Sequence, residues 1–219
     1  EVTRVNHALN SLLFASLGLG DDERAALASQ PFTVLKQMRY MPGKGEDSDS
    51  LGAGAHADWG ALTVLATDGT PGLEVELDGE WLAVPPREGC LIINAGDQIF
   101  HWTNGEYRSA THRVLHSIPK PRFSTAFFTY FDIDTVMSPL AQFVSDERPA
   151  LRKPESSREY FHFKLFESTG NLDLLDESNT SSTCSTSGKE DWSVGPVDGG
   201  GGIGATHSYL LKATHYLFS

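Results

Sequence analysis

Apolar side chains at Val2, Val5, Leu9, Leu12, Leu13 and Leu17 fall three or four residues apart and predict a helix over residues 2–17 with one apolar face. A second, shorter helix is predicted from Asp21, which can cap it, to about Ala28, and Pro31 disfavours helix in the residue before it. From Phe32 to Phe131 the period changes from helical to alternating. Leu62, Val64 and Ala66 alternate with Ala61, Thr63 and Leu65. Leu73, Val75 and Leu77 share one strand face, with Glu74 and Glu76 on the other. Asp78-Gly79 follows and Glu80–Val84 resumes a strand. Both centres of a tight hairpin turn want positive φ, so this dipeptide predicts a hairpin. Asn104-Gly105 predicts a second one, between strands at Gln98–Trp102 and Tyr107–Ser117. Cys90–Asn94 and Phe123–Phe131 also read as strands. Short strands at this spacing, with no helical pattern between them, argue for a sandwich, jelly roll or barrel.

Beyond Phe131 the pattern weakens. Pro139 to Pro154 reads as an irregular connection. Ser156 with Glu159 three residues later is a capping box, and Tyr160–Phe166 supplies the helix behind it. Residues 168–205 are dominated by Ser, Thr, Gly and Asp and cannot bury enough apolar surface to offset their ordering entropy, which predicts a flexible tail. His207 to Ser219 turns apolar again, and either docks on the core or binds a partner.

Composition narrows the function. The 219 residues carry 17 Lys and Arg against 29 Asp and Glu, a net charge of −12. Nucleic acid and anionic membranes reward a positive surface, so neither is an expected partner. Two cysteines, Cys90 and Cys184, make no disulfide framework, and a reducing, cytoplasmic location is expected. No apolar run approaches the ~20 residues of a bilayer span, and no signal peptide is evident. The chain opens on Glu1 rather than Met, so a truncated N-terminus is expected.

The chemistry centres on His56-Ala57-Asp58. On an extended strand, residues two apart point to one face, so an imidazole and a carboxylate converge. A third ligand must come from a distant strand, and His112 is the candidate. Two His and one carboxylate on one face of a metal leave three positions open, the facial triad of non-haem Fe(II) oxygenases, whose open positions take co-substrate and O₂. A lone His-x-Asp is weak evidence, and a chain with eight His supplies a downstream one by chance. His7, His101, His116, His162, His207 and His215 are assigned structural or solvent-facing duty, with His116 on the strand face of His112. Arg122 and Ser124 strengthen the case. They share a strand face, and a planar guanidinium beside a hydroxyl makes a carboxylate receptor.

These residues sit in text that resembles the iron(II)/2-oxoglutarate-dependent dioxygenases of the isopenicillin N synthase-like family. The matching stretches are GAHADWGALTVLATDGTPGLEV (Gly54–Val75), GEWLAVPP (Gly79–Pro86), LIINAGDQIFHWTNGEYRSATHRV (Leu91–Val114) and RFSTAFF (Arg122–Phe128). The resemblance implies a mainly β fold, a double-stranded β-helix (jelly roll) core with flanking α-helices. It implies His56, Asp58 and His112 as iron ligands, and Arg122 and Ser124 as the pair holding the far carboxylate of 2-oxoglutarate. Many members carry two aromatic residues before the proline ahead of the His-x-Asp motif, the second touching 2-oxoglutarate. Here Arg39-Tyr40-Met41-Pro42 puts Met41 in that place, and Tyr40 is the candidate contact. The implied organisation is an N-terminal helical segment over 1–31, shorter than the family's, a jelly-roll domain with its closing helix over 32–167, and the tail over 168–219. The implied activity is that of an enzyme, an Fe(II)- and 2-oxoglutarate-dependent oxygenase. It uses O₂ to hydroxylate or desaturate a small-molecule metabolite with release of succinate and CO₂, and acts as a monomer. Two alternatives stay open: a same-fold iron oxidase whose Arg122 receives another carboxylate, and a truncated homologue serving as a binding module.

Overall fold

The structure, a computed structural model, describes residues 2–42, 51–115 and 120–169, and the backbone of 207–213. Its elements in chain order are α1 (Val2–Ser16), α2 (Asp21–Ala28), β1 (Phe32–Tyr40), β2 (Leu51–His56), β3 (Leu62–Thr67), β4 (Leu73–Leu77), β5 (Glu80–Ala83), β6 (Ile92–Ala95), α3 (Asp97–Trp102), β7 (His112–Leu115), β8 (Arg122–Tyr130), β9 (Val136–Met137), β10 (Glu155–Ser156), α4 (Ser157–Thr169) and β11 (His207–Ala213). Among the described residues no helix is long and apolar enough to cross a membrane.

Two antiparallel sheets carry the fold. The larger has the order β11-β1-β8-β3-β6 and the smaller β2-β7-β4-β5. Their facing sides enclose one apolar cluster, with buried Tyr40, Leu73 and Val114 and, packed on them, Met38, Ala53, Leu65, Val84 and Ile92. Both sheets contribute to it, as period-2 strands with one apolar face require. This is the expected double-stranded β-helix with flanking helices. A second cluster joins Leu13, Phe14, Leu17 and Leu19 to Ala61, Leu62, Ile99, Trp102 and Phe131. The Trp102 and Phe131 rings stack with centroids 4.9 Å apart. A fully buried large side chain of this kind is worth about 1.5–3 kcal/mol. Asn6 of α1 also accepts a hydrogen bond from Thr129 Oγ1 of β8 at 2.7 Å, fixing the helix to the outer face of the larger sheet. Leu12, placed on the apolar face by its spacing, is instead 67% exposed; Leu13, Phe14 and Leu17 carry the contact.

The Asp78-Gly79 expectation holds. Both residues have positive φ, 52° and 86°, and β4 pairs β5 from Leu77↔Glu80 outward. The second hairpin does not form. Gln98–Trp102, expected as a strand, belongs to helix α3, and the strand expected over Tyr107–Ser117 is ordered only as β7 among its described residues. The physical reason lies in what the run buries. Ile99 and Trp102, three apart, are fully buried together, and the helix is started by backbone groups: Asp97 N–H donates to Asp58 O at 2.8 Å and Gln98 N–H to Gly60 O at 3.1 Å. Asn104-Gly105 does adopt positive φ, 49° and 78°, but as a helix terminator. Gly105 N–H reaches back to Phe100 O at 2.9 Å, the bond of a Schellman stop.

The capping pair before α4 is half made: Glu159 N–H donates to Ser156 Oγ at 3.3 Å. The backbone of 207–213 lies along β1 from Thr33↔Ala213 to Arg39↔His207. Apart from the end of α4, the flexible tail expected over 168–205 lies outside the described residues, as does His116.

Candidate active site

His56 ends β2 and His112 begins β7, and the two are direct register partners across that antiparallel pair. The pairing alone brings the rings to 4.3 Å between centroids. Asp58 does not share a strand with His56, as its spacing suggested. The strand stops at His56, and Asp58 lies two residues past its end, still aimed at the same point. Its Oδ1 is 4.0 Å from His56 Nε2 and 3.8 Å from His112 Nε2. One candidate ligand atom from each of the three residues lies within 4.8 Å of the other two.

The arrangement leaves the right atoms free. His56 Nδ1 stands 2.8 Å from Gly54 O and His112 Nδ1 2.9 Å from Ala110 O. A carbonyl only accepts, so each Nδ1 donates and each Nε2 keeps its lone pair. Asp58 is 5% exposed, and its Oδ2 accepts from Thr63 Oγ1 at 2.6 Å and Asn94 Nδ2 at 2.7 Å. That leaves Oδ1 toward the histidines. Partial desolvation, and after it the His112 ring, hold the His56 imidazole below its usual range, so the ring is neutral near pH 7. Nearly half of its side chain faces solvent, and the displacement is modest. Two imidazole nitrogens with their lone pairs free and one carboxylate oxygen suit a divalent first-row metal ion, and the second set of hydrogen bonds is what such ligands need to stay oriented.

The loop carrying Asp58 is tightly held. Ala61 N–H donates to Thr129 O at 2.8 Å and Gly96 N–H to Ala61 O at 2.9 Å. Gly60 and Gly96 fill places where backbone passes against backbone. A Cβ on Gly60 would lie 2.3 Å from Thr129 O, and one on Gly96 would lie 2.4 Å from Gly60 O and 2.7 Å from Asp58 O.

Arg122 and Ser124 both turn inward on β8, at 1% and 5% exposure. Arg122 Nε donates to Thr70 O at 3.3 Å, and its guanidinium lies 5.0 Å from the centre of the Tyr40 ring. Arg122 Nη1, Ser124 Oγ and the neighbouring Thr70 Oγ1 are buried without a hydrogen-bond partner among the described residues. Buried polar atoms are rarely left so, and three together mark a place built for an anion. The residues present therefore fit a dicarboxylate with one end on this pocket. Tyr40 is 2% exposed and turns inward, but its hydroxyl donates to Met38 Sδ at 3.1 Å. Its contact with the pocket is through its ring.

His101 is buried elsewhere, on α3 beside Arg152 and Tyr160, and takes no part. Thr63 and Asn94 were not singled out in the sequence. They face one another across β3 and β6. Their signal was a hydrogen-bonding side chain inside an otherwise apolar strand run, Leu62-Thr63-Val64 and Ile92-Ile93-Asn94.

A double-stranded β-helix with two histidines and a carboxylate converging at one mouth defines the scaffold of mononuclear non-haem iron proteins. Comparison with known proteins makes this specific. Residues 32–130 match the family described as the 2OG-Fe(II) oxygenase superfamily, and this stretch of the chain belongs to it. Gibberellin 20 oxidase 1 of Oryza sativa subsp. japonica is 36% identical over 151 residues, covering 68% of this chain and 41% of that protein. Clavatol oxidase claD of Penicillium crustosum is 35% identical over 160 residues, covering 70% and 47%. The chain thus spans less than half the length of these curated relatives. Among solved structures, JOX2 in complex with 2OG, Fe and JA superposes with a TM-score of 0.67 at 32% identity, over 74% of this chain and 48% of that one.

Proposed function

We propose that this chain is the core of an Fe(II)- and 2-oxoglutarate-dependent oxygenase that oxidises a small molecule, by hydroxylation or desaturation, while 2-oxoglutarate becomes succinate and CO₂. The observation that carries the reading is the convergence of His56 Nε2, Asp58 Oδ1 and His112 Nε2, each freed for a metal by a hydrogen bond on its other heteroatom. These three would hold Fe(II). When bound, the metal with its co-substrate supplies activation of O₂ for a two-electron oxidation.

The rest is work for this chain's own groups. Gly54 O and Ala110 O fix the imidazole tautomers and ring planes. Thr63 and Asn94 fix the plane of the Asp58 carboxylate. The Arg122 fork and Ser124 hydroxyl take the distal carboxylate of 2-oxoglutarate, and the Tyr40 ring supports the guanidinium from one side. The net charge of −12 supports a small-molecule substrate over nucleic acid. The test is anaerobic titration of the Fe(II)-loaded protein with 2-oxoglutarate, following the visible charge-transfer band, with succinate release then measured over a panel of small metabolites. A saturable band and Fe(II)-dependent succinate are expected. Bound metal with no band would overturn the co-substrate assignment in favour of an oxidase whose Arg122 receives the substrate's own carboxylate.

A further inference from the structure

β1 runs antiparallel to β8 with Tyr40 opposite Arg122, Met38 opposite Ser124 and Lys36 opposite Ala126. Alternate residues share a strand face, so Lys36 stands on the face of Tyr40 and Met38, which turns into the space between the sheets. Ala126 is buried at 3% exposure and presents only a methyl group beside it. Lys36 itself is half-buried, yet it has no hydrogen-bond or ion-pair partner among the described residues.

Its charge is felt at the metal-ligand cluster. Lys36 and the Asp58 carboxylate are near enough to act on one another electrostatically, which sets the lysine toward that end of the space between the sheets. A half-buried ammonium that feels a carboxylate only at a distance is costly unless a closer partner arrives. Asp58 is not that partner, since its Oδ2 is taken by Thr63 and Asn94 and its Oδ1 faces the two histidines.

Nor does the co-substrate suit the role. Its two carboxylates are already placed, one beside the metal ligands and the other on Arg122 and Ser124. We infer that Lys36 is the specificity-determining anchor for an anionic group, a carboxylate, carried by the prime substrate. This rests on the function proposed above. The preferred substrate class is then a small monocarboxylate, seated with its acid on Lys36 and the rest of the molecule across the face of the metal.

The test uses the full chain with Fe(II) and 2-oxoglutarate under nitrogen, so that no turnover occurs. The 2-oxoglutarate band is recorded first. A panel of straight-chain, alicyclic and aryl monocarboxylates, each beside its primary amide, is then titrated, following perturbation of that band and, separately, binding heat. At least one acid should bind saturably to wild type and at least about tenfold more tightly than its amide, the scale of a charge-assisted bond. Lys36→Met should remove that preference while leaving the 2-oxoglutarate titration unchanged, which also reports a folded protein. Lys36→Arg should retain the preference. The inference is overturned if Lys36→Met prefers the acid as wild type does, or if no acid outbinds its amide on wild type. It is overturned equally if the variant's defect lies in the 2-oxoglutarate titration, which would give Lys36 to the co-substrate. Absence of the band in wild type removes the underlying reading, and this inference with it.

Discussion

Replacing Arg122 with methionine should make the ligand-free protein more stable while destroying its response to 2-oxoglutarate. The guanidinium is 1% exposed. Its supports are a 3.3 Å bond to Thr70 O and the Tyr40 ring at 5.0 Å, together worth about 1–3 kcal/mol, with a further, solvent-screened attraction to the exposed Asp68 carboxylate. Against this stands a buried cation whose Nη1 has no partner among the described residues, a cost of at least about 1–3 kcal/mol for the donor before the charge is counted. An apolar chain of similar length forfeits the supports and removes the larger penalty. The expected net gain is about 1–3 kcal/mol, by analogy with buried ions exchanged for hydrophobes. At ~2–4 °C per kcal/mol for a chain of this size, the midpoint of thermal unfolding should rise by roughly 2–12 °C. With metal and 2-oxoglutarate at about a hundred times its dissociation constant, wild type should gain about 2.7 kcal/mol from the co-substrate and Arg122→Met none. The advantage of Arg122→Met then shrinks by about 2.7 kcal/mol on adding ligand, and the order reverses wherever its ligand-free gain is smaller than that. Thermal melts with and without ligand, under nitrogen, decide it. A ligand-free Arg122→Met that melts below wild type would show that the guanidinium is satisfied and structural. Equal stabilisation of both proteins by 2-oxoglutarate would remove Arg122 from the site.

Asn94→Ala and Thr63→Val each take one donor from Asp58 Oδ2, and each should weaken Mn(II) or Co(II) binding by about 10–100-fold in a competition titration while the fold survives. Tyr40→Phe keeps the ring beside Arg122 and should bind 2-oxoglutarate within about threefold of wild type, whereas Tyr40→Leu should weaken it about 5- to 30-fold in the anaerobic titration. The His56 pKa is lowered from 6.5, so between its folded value and 6.5 the unfolded chain binds more protons than the native one. Metal-free stability in urea should therefore rise with pH across that window and fall as pH drops below 6.5, and His56→Gln should flatten the dependence. Metal affinity should decline over the same range, because the ligand nitrogen must be unprotonated.

Much of this molecule is legible in its sequence because local rules and tertiary packing agree over most of β1 to β8. Alternation in Leu62–Thr67 and Leu73–Leu77 does mark two strands, but burial does not follow it: Leu62, Thr63 and Val64 are buried in succession, and in the second strand burial fades from Leu73 to an exposed Leu77. At Gln98–Trp102 they part. Five residues are too few to separate a period of 2 from one of 3.6, and the deciding groups, Asp58 O and Gly60 O, lie almost forty residues earlier in the chain. Asn104-Gly105 shows the same limit from the other side: the dipeptide specifies positive φ, but a hairpin and a helix stop both use it. At the site, His56, Asp58 and His112 are readable from residue type and order. Thr63 and Asn94 are not, because a threonine or asparagine in a strand announces nothing until the register shows what lies opposite. Lys36 is equally silent in the sequence, where an alternating strand with one lysine looks solvent-facing.

The tight passage of Gly60 and Gly96 past Asp58 and Thr129 sets how this protein can vary. Neither glycine offers a side chain, yet a single methyl group at either position would collide with backbone at under 2.5 Å, and backbone cannot step aside as a flexible side chain does. Because Asp97 and Gln98 are hung from Asp58 O and Gly60 O, the displacement would pass into α3 and into the aim of the carboxylate together. Alanine at these two places should therefore be as damaging to activity as loss of a ligand, while the exposed Gly54, with nothing within 4 Å of its would-be Cβ, should accept the same change on steric grounds. Mutational scanning of this domain would draw a tolerance map in which the least replaceable positions include residues with no functional group at all.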